Sequence, residues 1–249
     1  MINLIHDNCV DAIAKMPDKS VDLIIADPPY KLEMPKKSGV DTYLKDKKIT
    51  LVDEDWDKFT LDEYMVFSEE WITQAMRLLK DHGSIFIFGS YHNIGLVNYV
   101  LQKNKIMIIN EIIWYKRNAV PNLACRRFTA STENILWAAK DKKYTFNYHA
   151  MKNGDFPEDN IKKPEKQMRN VWDIPTAGKE NVGHPTQKPT KVYERIIKSA
   201  LIDNPDAVVL DPFAGSGTLG AVAQSMNLNC TMIEANDEYI SIIKNRLGL

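Results

Sequence analysis

Cysteine is scarce in this chain, and its distribution argues against two kinds of site. The 249 residues include three cysteines, Cys9, Cys125 and Cys230, which are far apart and never in C-x-x-C spacing. This arrangement argues against a zinc site and against a disulfide framework, so we expect no bound metal.

Long apolar runs are missing as well. No stretch of the sequence approaches the roughly 20 apolar residues of a membrane span. The first residues also lack the basic-then-apolar pattern of a secretion signal. We therefore expect a cytoplasmic protein with no membrane contact.

An excess of charge of either sign is absent too. The chain has 32 lysines and arginines against 33 aspartates and glutamates, a formal net charge of −1, so no global field would attract a polyanion. Any nucleic-acid surface must be local. The 31–48 segment contains six lysines, and the 140–169 segment mixes lysines with Tyr144, Phe146 and Tyr148. Such mixtures suit phosphate contact and base stacking, although lysine-rich loops are more commonly plain solvated surface.

Two short motifs follow apolar segments. Asp27-Pro28-Pro29-Tyr30 comes after the run 21–26, and Asp211-Pro212-Phe213-Ala214-Gly215-Ser216-Gly217-Thr218 comes after the run 207–210. Apolar runs of this length predict buried parallel strands. We expect each motif on a loop at the carboxyl end of a strand, where open α/β sheets bind ligands.

The later motif suits a small-molecule pocket. Gly215 and Gly217 allow a tight turn and a close approach of the backbone to a ligand, and 218–226 predicts a helix whose amino end helps to close the site. Glu234 ends the next apolar segment, where a carboxylate can accept hydrogen bonds from a ribose. Taken alone, this pattern is equally typical of a structural strand-to-helix turn.

The earlier motif combines the groups that an aromatic amine needs in order to react. Such an amine is a poor nucleophile because its lone pair is delocalised into the ring. Asp27 and the Pro28 carbonyl offer two acceptors for its hydrogens, which would direct the lone pair toward an electrophile, and Tyr30 offers a face on which a flat base can stack. The alternative is a rigid Pro28-Pro29 turn with Tyr30 at its rim.

With both motifs present, the chain resembles the DNA amino-methyltransferases that use S-adenosylmethionine. The order, catalytic motif first and cofactor loop last, is similar to the β group of that family. Pro121-Asn122-Leu123 and Arg126-Arg127-Phe128 are especially similar to small adenine-N6 enzymes of DpnII-type restriction systems, one of which also accepts single-stranded DNA. The resemblance covers nearly the whole chain.

The resemblance implies roles for individual residues. The catalytic residues would be Asp27, Pro28, Pro29 and Tyr30. The residues expected to bind the cofactor are Asp7, Cys9, Asp27, Thr186, Lys188, Asp211, Pro212, Phe213, Gly215, Gly217, Thr218 and Glu234. The residues expected to contact DNA are Lys31, Lys36, Lys37, Trp56, Asn118, Asn122, Arg126 and Arg127. Lys188 is assigned to the carboxylate end of the cofactor.

The implied reaction is transfer of a methyl group from S-adenosylmethionine to the N6 amine of adenine in DNA, with single-stranded DNA as a further substrate. A restriction-modification or phage setting, GATC as a candidate site and a homodimer follow from the same resemblance. Cytosine-N4 methylation is the near alternative, although that subgroup more often begins its tetrapeptide with Ser than with the Asp found at Asp27. From other classes, a nicotinamide-dependent oxidoreductase would need the third glycine that the Gly215-x-Gly217 loop lacks, and a DNA-binding module without catalysis would not need Asp27 and Tyr30.

Strands that alternate with helices along the chain predict an α/β fold, with a mostly parallel sheet covered on both faces. The resemblance makes this a Rossmann-like methyltransferase fold of seven strands, with one antiparallel strand, 132–140, at the edge. The polar 144–183 segment interrupts the alternation and is expected to be an irregular target-recognition insertion, with a plain surface loop as the alternative. It would separate a catalytic half, 1–143, from a cofactor-binding half, 184–249, of one domain.

Overall fold

The computed structural model describes residues 1–30, 42–44, 47–49, 59–122, 125–152, 168–184, 186–202 and 204–249. The strands are β1 (Ile2–His6), β2 (Val21–Ala26), β3 (Thr42–Leu44), β4 (Lys47–Ile49), β5 (Leu79–Gly89), β6 (Met107–Tyr115), β7 (Thr132–Ala139), β8 (Val171–Asp173), β9 (Val208–Asp211) and β10 (Asn229–Glu234). The helices are α1 (Cys9–Ala14), α2 (Leu61–Leu78), α3 (Ile94–Lys103), α4 (Tyr148–Lys152), α5 (Thr190–Ala200), α6 (Thr218–Met226) and α7 (Asp237–Leu247). Within these ranges, none of the helices combines the length and the apolar character needed to cross a bilayer.

Eight strands form one sheet in the order β1-β10-β9-β2-β5-β7-β6-β8. Only β7 among them runs antiparallel to its neighbours, β5 and β6. The expected seven strands and the expected antiparallel edge strand are therefore both wrong. The eighth strand is β8, whose three residues are too few to give a periodic pattern, and β7 is internal because β6 lies beyond it.

The central strand β2 contributes side chains to two hydrophobic cores, one on each face of the sheet. All six of its residues are buried, and successive side chains point to opposite faces of the sheet. Leu23 and Ile25 belong to the core that contains residues of α5, α6 and α7. Ile24 and Ala26 belong to the core that contains residues of α1, α2 and α3. Helices therefore cover both faces, as the alternating pattern predicts.

Two segments that show no periodic pattern in the sequence contain regular structure. In the lysine-rich 31–48 segment, β3 and β4 pair as an antiparallel ribbon. The 144–183 segment contains the short helix α4, strand β8 and a 3-10 turn at Gly178–Glu180. Both departures have the same cause, because elements of three to five residues are too short to show periodicity.

Candidate active site

The two motif loops meet because their strands are neighbours. Strands β2 and β9 are parallel and adjacent, with Leu23 opposite Val209 and Ile24 opposite Leu210. Their carboxyl ends therefore lie at the same edge of the sheet. Residues of both loops line one cavity of about 550 Å³, which is within the roughly 300–1,000 Å³ typical of small-molecule sites.

Most of the predicted site residues line this cavity. They are Asp7, Cys9, Asp27, Pro28, Pro29, Tyr30, Thr186, Lys188, Pro212, Phe213, Gly215, Thr218 and Glu234. Phe59, Phe67 and Ile233 add apolar wall. Burial raises the pKa of the Cys9 thiol to about 12, so this residue contributes a neutral, apolar surface.

Two predicted cofactor residues, Asp211 and Gly217, are not among the lining residues of the cavity. The Asp211 carboxyl is fully buried and accepts hydrogen bonds from the Phe213 amide at 3.0 Å and from the Tyr193 hydroxyl at 3.4 Å. Burial raises its pKa to about 8. Gly217 precedes α6 with a φ of 74°. Both residues therefore stabilise the conformation of the 211–218 loop without lining the cavity.

Gly215 occupies a position that no other residue fits easily. Its φ is +52°, and a Cβ atom built on it would lie 3.1 Å from Nε2 of His184. Its amide donates a hydrogen bond to Glu234 at 2.8 Å, and the other Glu234 oxygen accepts the Asn236 amide at 2.9 Å. Burial lowers the pKa of His184 to about 4, so its imidazole is neutral at physiological pH.

Asp27 lies in a network of charged groups. Its Oδ2 accepts a hydrogen bond from Nζ of Lys188 at 2.6 Å, and its Oδ1 accepts one from the Tyr30 hydroxyl at 2.7 Å. Burial raises the pKa of Asp27 above its ordinary value despite the attraction of Lys188. Lys188 is itself 4% exposed, and although burial opposes its charge, Asp27 and Glu133 raise its pKa. Lys188, which is expected to bind the cofactor carboxylate, thus forms an ion pair with Asp27, which is expected to be catalytic.

Glu133 completes this network, and the sequence reasoning missed it. One of its oxygens contacts the Tyr30 hydroxyl at 3.1 Å and Lys188 at 3.5 Å, and the other accepts a hydrogen bond from Lys116 at 2.9 Å. Glu133 lies at the start of β7. Because β7 is antiparallel, its start is at the same edge of the sheet as the carboxyl ends of the parallel strands. The available signal was a single charged residue in a strand whose last five residues are apolar.

The tetrapeptide is also held from the side of α2. The Tyr64 hydroxyl donates a hydrogen bond to the Pro29 carbonyl at 3.0 Å and accepts one from the Asn93 amide at 2.9 Å. Asn93 in turn accepts the Ser90 amide at 2.8 Å. Tyr64 is completely buried. These contacts fix the turn that carries Pro28 and Tyr30.

The predicted DNA-contact residues are not part of the cavity wall where they are described. The Asn118 side-chain amide donates a hydrogen bond to the Thr176 hydroxyl at 3.0 Å and accepts one from the Thr176 backbone amide at 2.9 Å. Asn122 accepts the Arg126 amide at 3.1 Å, and the Arg127 guanidinium donates to the Tyr91 hydroxyl at 3.0 Å. Lys31, Lys36, Lys37 and Trp56 lie outside the described residues.

Comparison with known proteins gives the context of this site. The DNA methylase family model for N6 and N4 methyltransferases matches residues 21–245. The chain is 40% identical to the Type II methyltransferase M2.MboI of Moraxella bovis over 253 residues, which cover 98% of this chain and 86% of that protein. It is 37% identical to the Type II methyltransferase M.HinfI of Haemophilus influenzae over 255 residues, which cover 98% of this chain and 67% of that protein.

Solved structures agree with this relationship. The M1.HpyAVI–SAM complex superposes with a TM-score of 0.72 at 30% identity, over 100% of both chains. The cytosine-N4-specific PvuII DNA methyltransferase superposes with a TM-score of 0.73 at 15% identity, over 98% of this chain and 86% of that one, and shares the fold. The nicotinamide-dependent alternative is left without support, and the chain belongs to the family of N6 and N4 DNA methylases.

Proposed function

We propose that this DNA methylase transfers a methyl group from S-adenosylmethionine to the N6 amine of adenine in DNA. The convergence of the 27–30 and 211–218 loops on one cavity carries the proposal. Such a cavity can place a flat amine beside a bound donor, and positioning of two reactants is a large source of rate enhancement.

The cofactor is S-adenosylmethionine, with which the related M1.HpyAVI was solved, and the residues at the 211–218 end of the cavity suit it. Gly215 lets the loop pack against the His184 ring, because a Cβ atom there would lie 3.1 Å from Nε2 of that ring. Glu234 supplies carboxylate oxygens next to the loop, and Phe213 and Ile233 supply the apolar walls that a flat nucleobase needs. A carboxylate on the strand after the glycine loop is the usual acceptor for ribose hydroxyls. We assign Asp7, Cys9, Thr186 and Thr218 to the same ligand.

Replacing Gly215 by Ala should therefore weaken cofactor binding about 10-fold or more. The added methyl group would meet the His184 ring, and a left-handed φ costs a residue with a side chain about 1 kcal/mol or more. Equilibrium dialysis with labelled S-adenosylmethionine measures the effect. Gly95→Ala, at a helical position where a Cβ meets no atom within 4 Å, is the matched control. Equal affinities of the two variants would contradict this assignment.

At the other end of the cavity, the chain's own residues can activate an amine. Bound S-adenosylmethionine supplies an electrophilic methyl group. Asp27 accepts one amine hydrogen and the Pro28 carbonyl accepts the other, which turns the nitrogen lone pair toward the donor. The Lys188 ammonium lies 5.1 Å from the centre of the Tyr30 ring, so the purine would stack on the opposite face of that ring. The base must leave the helical stack to reach this pocket, at a cost of a few kcal/mol that single-stranded DNA lowers.

Asp27 supports adenine over cytosine as the target. Its charge, its 2.6 Å contact with Lys188 and its buried position make it a strong, oriented acceptor. The cytosine-N4 enzymes with the same fold more often begin this motif with Ser. Cytosine-N4 methylation is the second candidate, since the family includes both reactions.

We further propose where the DNA is read. The 144–183 segment would act as the target-recognition region between a catalytic half, 1–143, and a cofactor-binding half, 184–249. Arg126 and Arg127 are exposed beside Phe128, which is 99% exposed, and they suit phosphate contact. GATC, single-stranded DNA as a further substrate and a restriction-modification setting belong to the same proposal.

The test is product analysis after incubation of the protein with labelled S-adenosylmethionine and DNA. Label should pass to DNA, and mass spectrometry of the digested nucleosides should show N6-methyladenine. N4-methylcytosine instead would establish the second candidate, and unlabelled DNA would contradict the proposal. Single-stranded and double-stranded oligonucleotides with and without GATC, tested in parallel, define the substrate.

A further inference from the structure

The Tyr30 hydroxyl lies between two carboxylates but has only one hydrogen to donate to them. It is 2.7 Å from Oδ1 of Asp27 and 3.1 Å from Oε2 of Glu133. A phenol has one hydrogen to donate, and an ionised carboxylate has none. While both carboxylates are ionised, the Tyr30 hydrogen can therefore satisfy only one of the two contacts at a time.

The two carboxylates are not equivalent. Glu133 has two lysines beside it, Lys116 at 2.9 Å and Lys188 at 3.5 Å, and although burial opposes its charge, these cations lower its pKa below the ordinary value. The Asp27 pKa lies above its ordinary value because of burial, and the negative charge of Glu133 raises it further. Asp27 is accordingly the group that can take up a proton, and Glu133 is the group that stays ionised.

We propose that Glu133 is a positioning residue for methyl transfer, which accepts the Tyr30 hydrogen bond when Asp27 becomes protonated. This inference rests on the proposed function. Before reaction, Tyr30 donates to Asp27 and holds the carboxylate oriented. After reaction, a protonated Asp27 is a poorer acceptor, and Tyr30 turns to Glu133.

Methyl transfer and the proton transfer that follows it conserve charge within the pocket. The amine lone pair forms the N–C bond while the C–S bond breaks, and the electron pair of that bond goes to sulfur. The methylated nitrogen is then cationic and acidic, so even a weak base such as Asp27 can take one of its protons. The Tyr30 hydrogen never leaves its own oxygen. It exchanges a hydrogen bond to Oδ1 of Asp27 for one to Oε2 of Glu133. The positive charge that enters on the sulfonium thus ends as a proton on Asp27, and Glu133 and the two lysines keep their charges.

The burial of the network explains why Glu133 requires a second cation. The three side chains Lys188, Asp27 and Glu133 are 4%, 18% and 16% exposed, so the network is largely screened from water. In such surroundings a second buried carboxylate costs free energy unless it is compensated. Lys116, the residue that follows β6, provides that compensation next to β7.

The experiment measures single-turnover methylation of saturating DNA as a function of pH for the wild type, Glu133→Gln, Tyr30→Phe and Glu111→Gln. Glu111→Gln is the matched control, because Glu111 is an exposed carboxylate on β6 that accepts from Asn134. In Glu133→Gln, Asp27 stays buried and keeps the Tyr30 hydrogen bond, but it loses the negative charge that adds to the effect of burial on its pKa. The acidic limb of the profile should move down by about one pH unit, and the maximal rate should fall about 10-fold.

Tyr30→Phe should move the acidic limb in the opposite direction. The variant removes the hydrogen bond that favours ionised Asp27, so the limb moves to higher pH. A merely structural role of Glu133 would not produce opposite shifts. Shifts in the same direction, or a Glu133→Gln profile equal to that of Glu111→Gln, would overturn the inference. If Glu133→Gln does not fold, the Tyr30→Phe profile tests the inference. An acidic limb that does not shift in Tyr30→Phe would also overturn the inference. A wild type that transfers no methyl group contradicts the proposed function instead, which keeps the two failures apart.

Discussion

Replacing Asp27 by Ala is expected to lower the rate of methyl transfer by about 1,000-fold or more, while S-adenosylmethionine still binds. The reason is that the loss of an oriented base and acceptor lowers the rate by about 10²–10⁴. Asp27 supplies the only carboxylate of the 27–30 motif. Its removal leaves Lys188 within 3.5 Å of Glu133, so the ammonium keeps one carboxylate partner, although the network loses one negative charge. Single-turnover rates and equilibrium dialysis measure the two quantities.

The matched control for this variant is Asp206→Ala, in an exposed turn before β9, which should retain the wild-type rate. Asp27→Asn keeps an acceptor oxygen but cannot take a proton, and it should fall between the wild type and Asp27→Ala. Methylation by Asp27→Ala at a rate comparable to the wild type would show that the assignment of Asp27 is wrong.

The convergence of the two motifs could be predicted because it depends on a general property of parallel sheets. Apolar runs before Asp27 and Asp211 indicate buried strands, and carboxyl ends of parallel strands share one edge. The structure makes β2 and β9 direct neighbours. The positive φ values at Gly215 and Gly217 likewise follow from a tight turn that only glycine enters freely.

The charged network around Asp27 could not be predicted in the same way, because it joins residues that are distant in sequence. Lys188 is 161 residues from Asp27, and Glu133 is 103 residues from Tyr30. The contact between Glu133 and Tyr30 depends on β7 being internal and antiparallel, whereas the resemblance placed that strand at the edge of the sheet. The error in strand order therefore hid Glu133, and the assignment of Lys188 to the cofactor carboxylate stays a prediction.

Replacing Lys188 by Met should cause the second large effect, a loss of both stability and activity. The change removes the ammonium that lies 2.6 Å from Asp27 and leaves the negative charge of that residue, which is 18% exposed, without its cation. Breaking a buried ion pair by removal of one partner costs about 3–5 kcal/mol. Asp27 should respond by retaining a proton at neutral pH. A protonated Asp27 cannot accept the amine proton, so methyl transfer should fall about 100-fold or more.

The pH dependence of the stability loss distinguishes this mechanism from a simple packing defect. The pKa of Asp27 already lies above its ordinary value in the folded wild type, and removal of Lys188 raises it further. A folded state that holds a proton more tightly than the unfolded chain loses stability as pH rises from the unfolded pKa to the folded one. Urea unfolding should therefore show a larger destabilisation of Lys188→Met at pH 8 than at pH 5. Lys191→Met, at an exposed position in the first turn of α5, should show little change at either pH.

Neutralising both Lys188 and Asp27 should separate the effect of charge on stability from the effect of packing. In Lys188→Met combined with Asp27→Asn, no uncompensated charge is left, so stability at pH 8 should recover most of the loss seen in the single Lys188→Met variant. Activity should not recover, because Asn cannot take up the amine proton. An equal loss at both pH values, or a double variant that is no more stable than Lys188→Met, would mean that Lys188 contributes packing alone. In that case the charge of Asp27 would have to be balanced by groups other than this lysine.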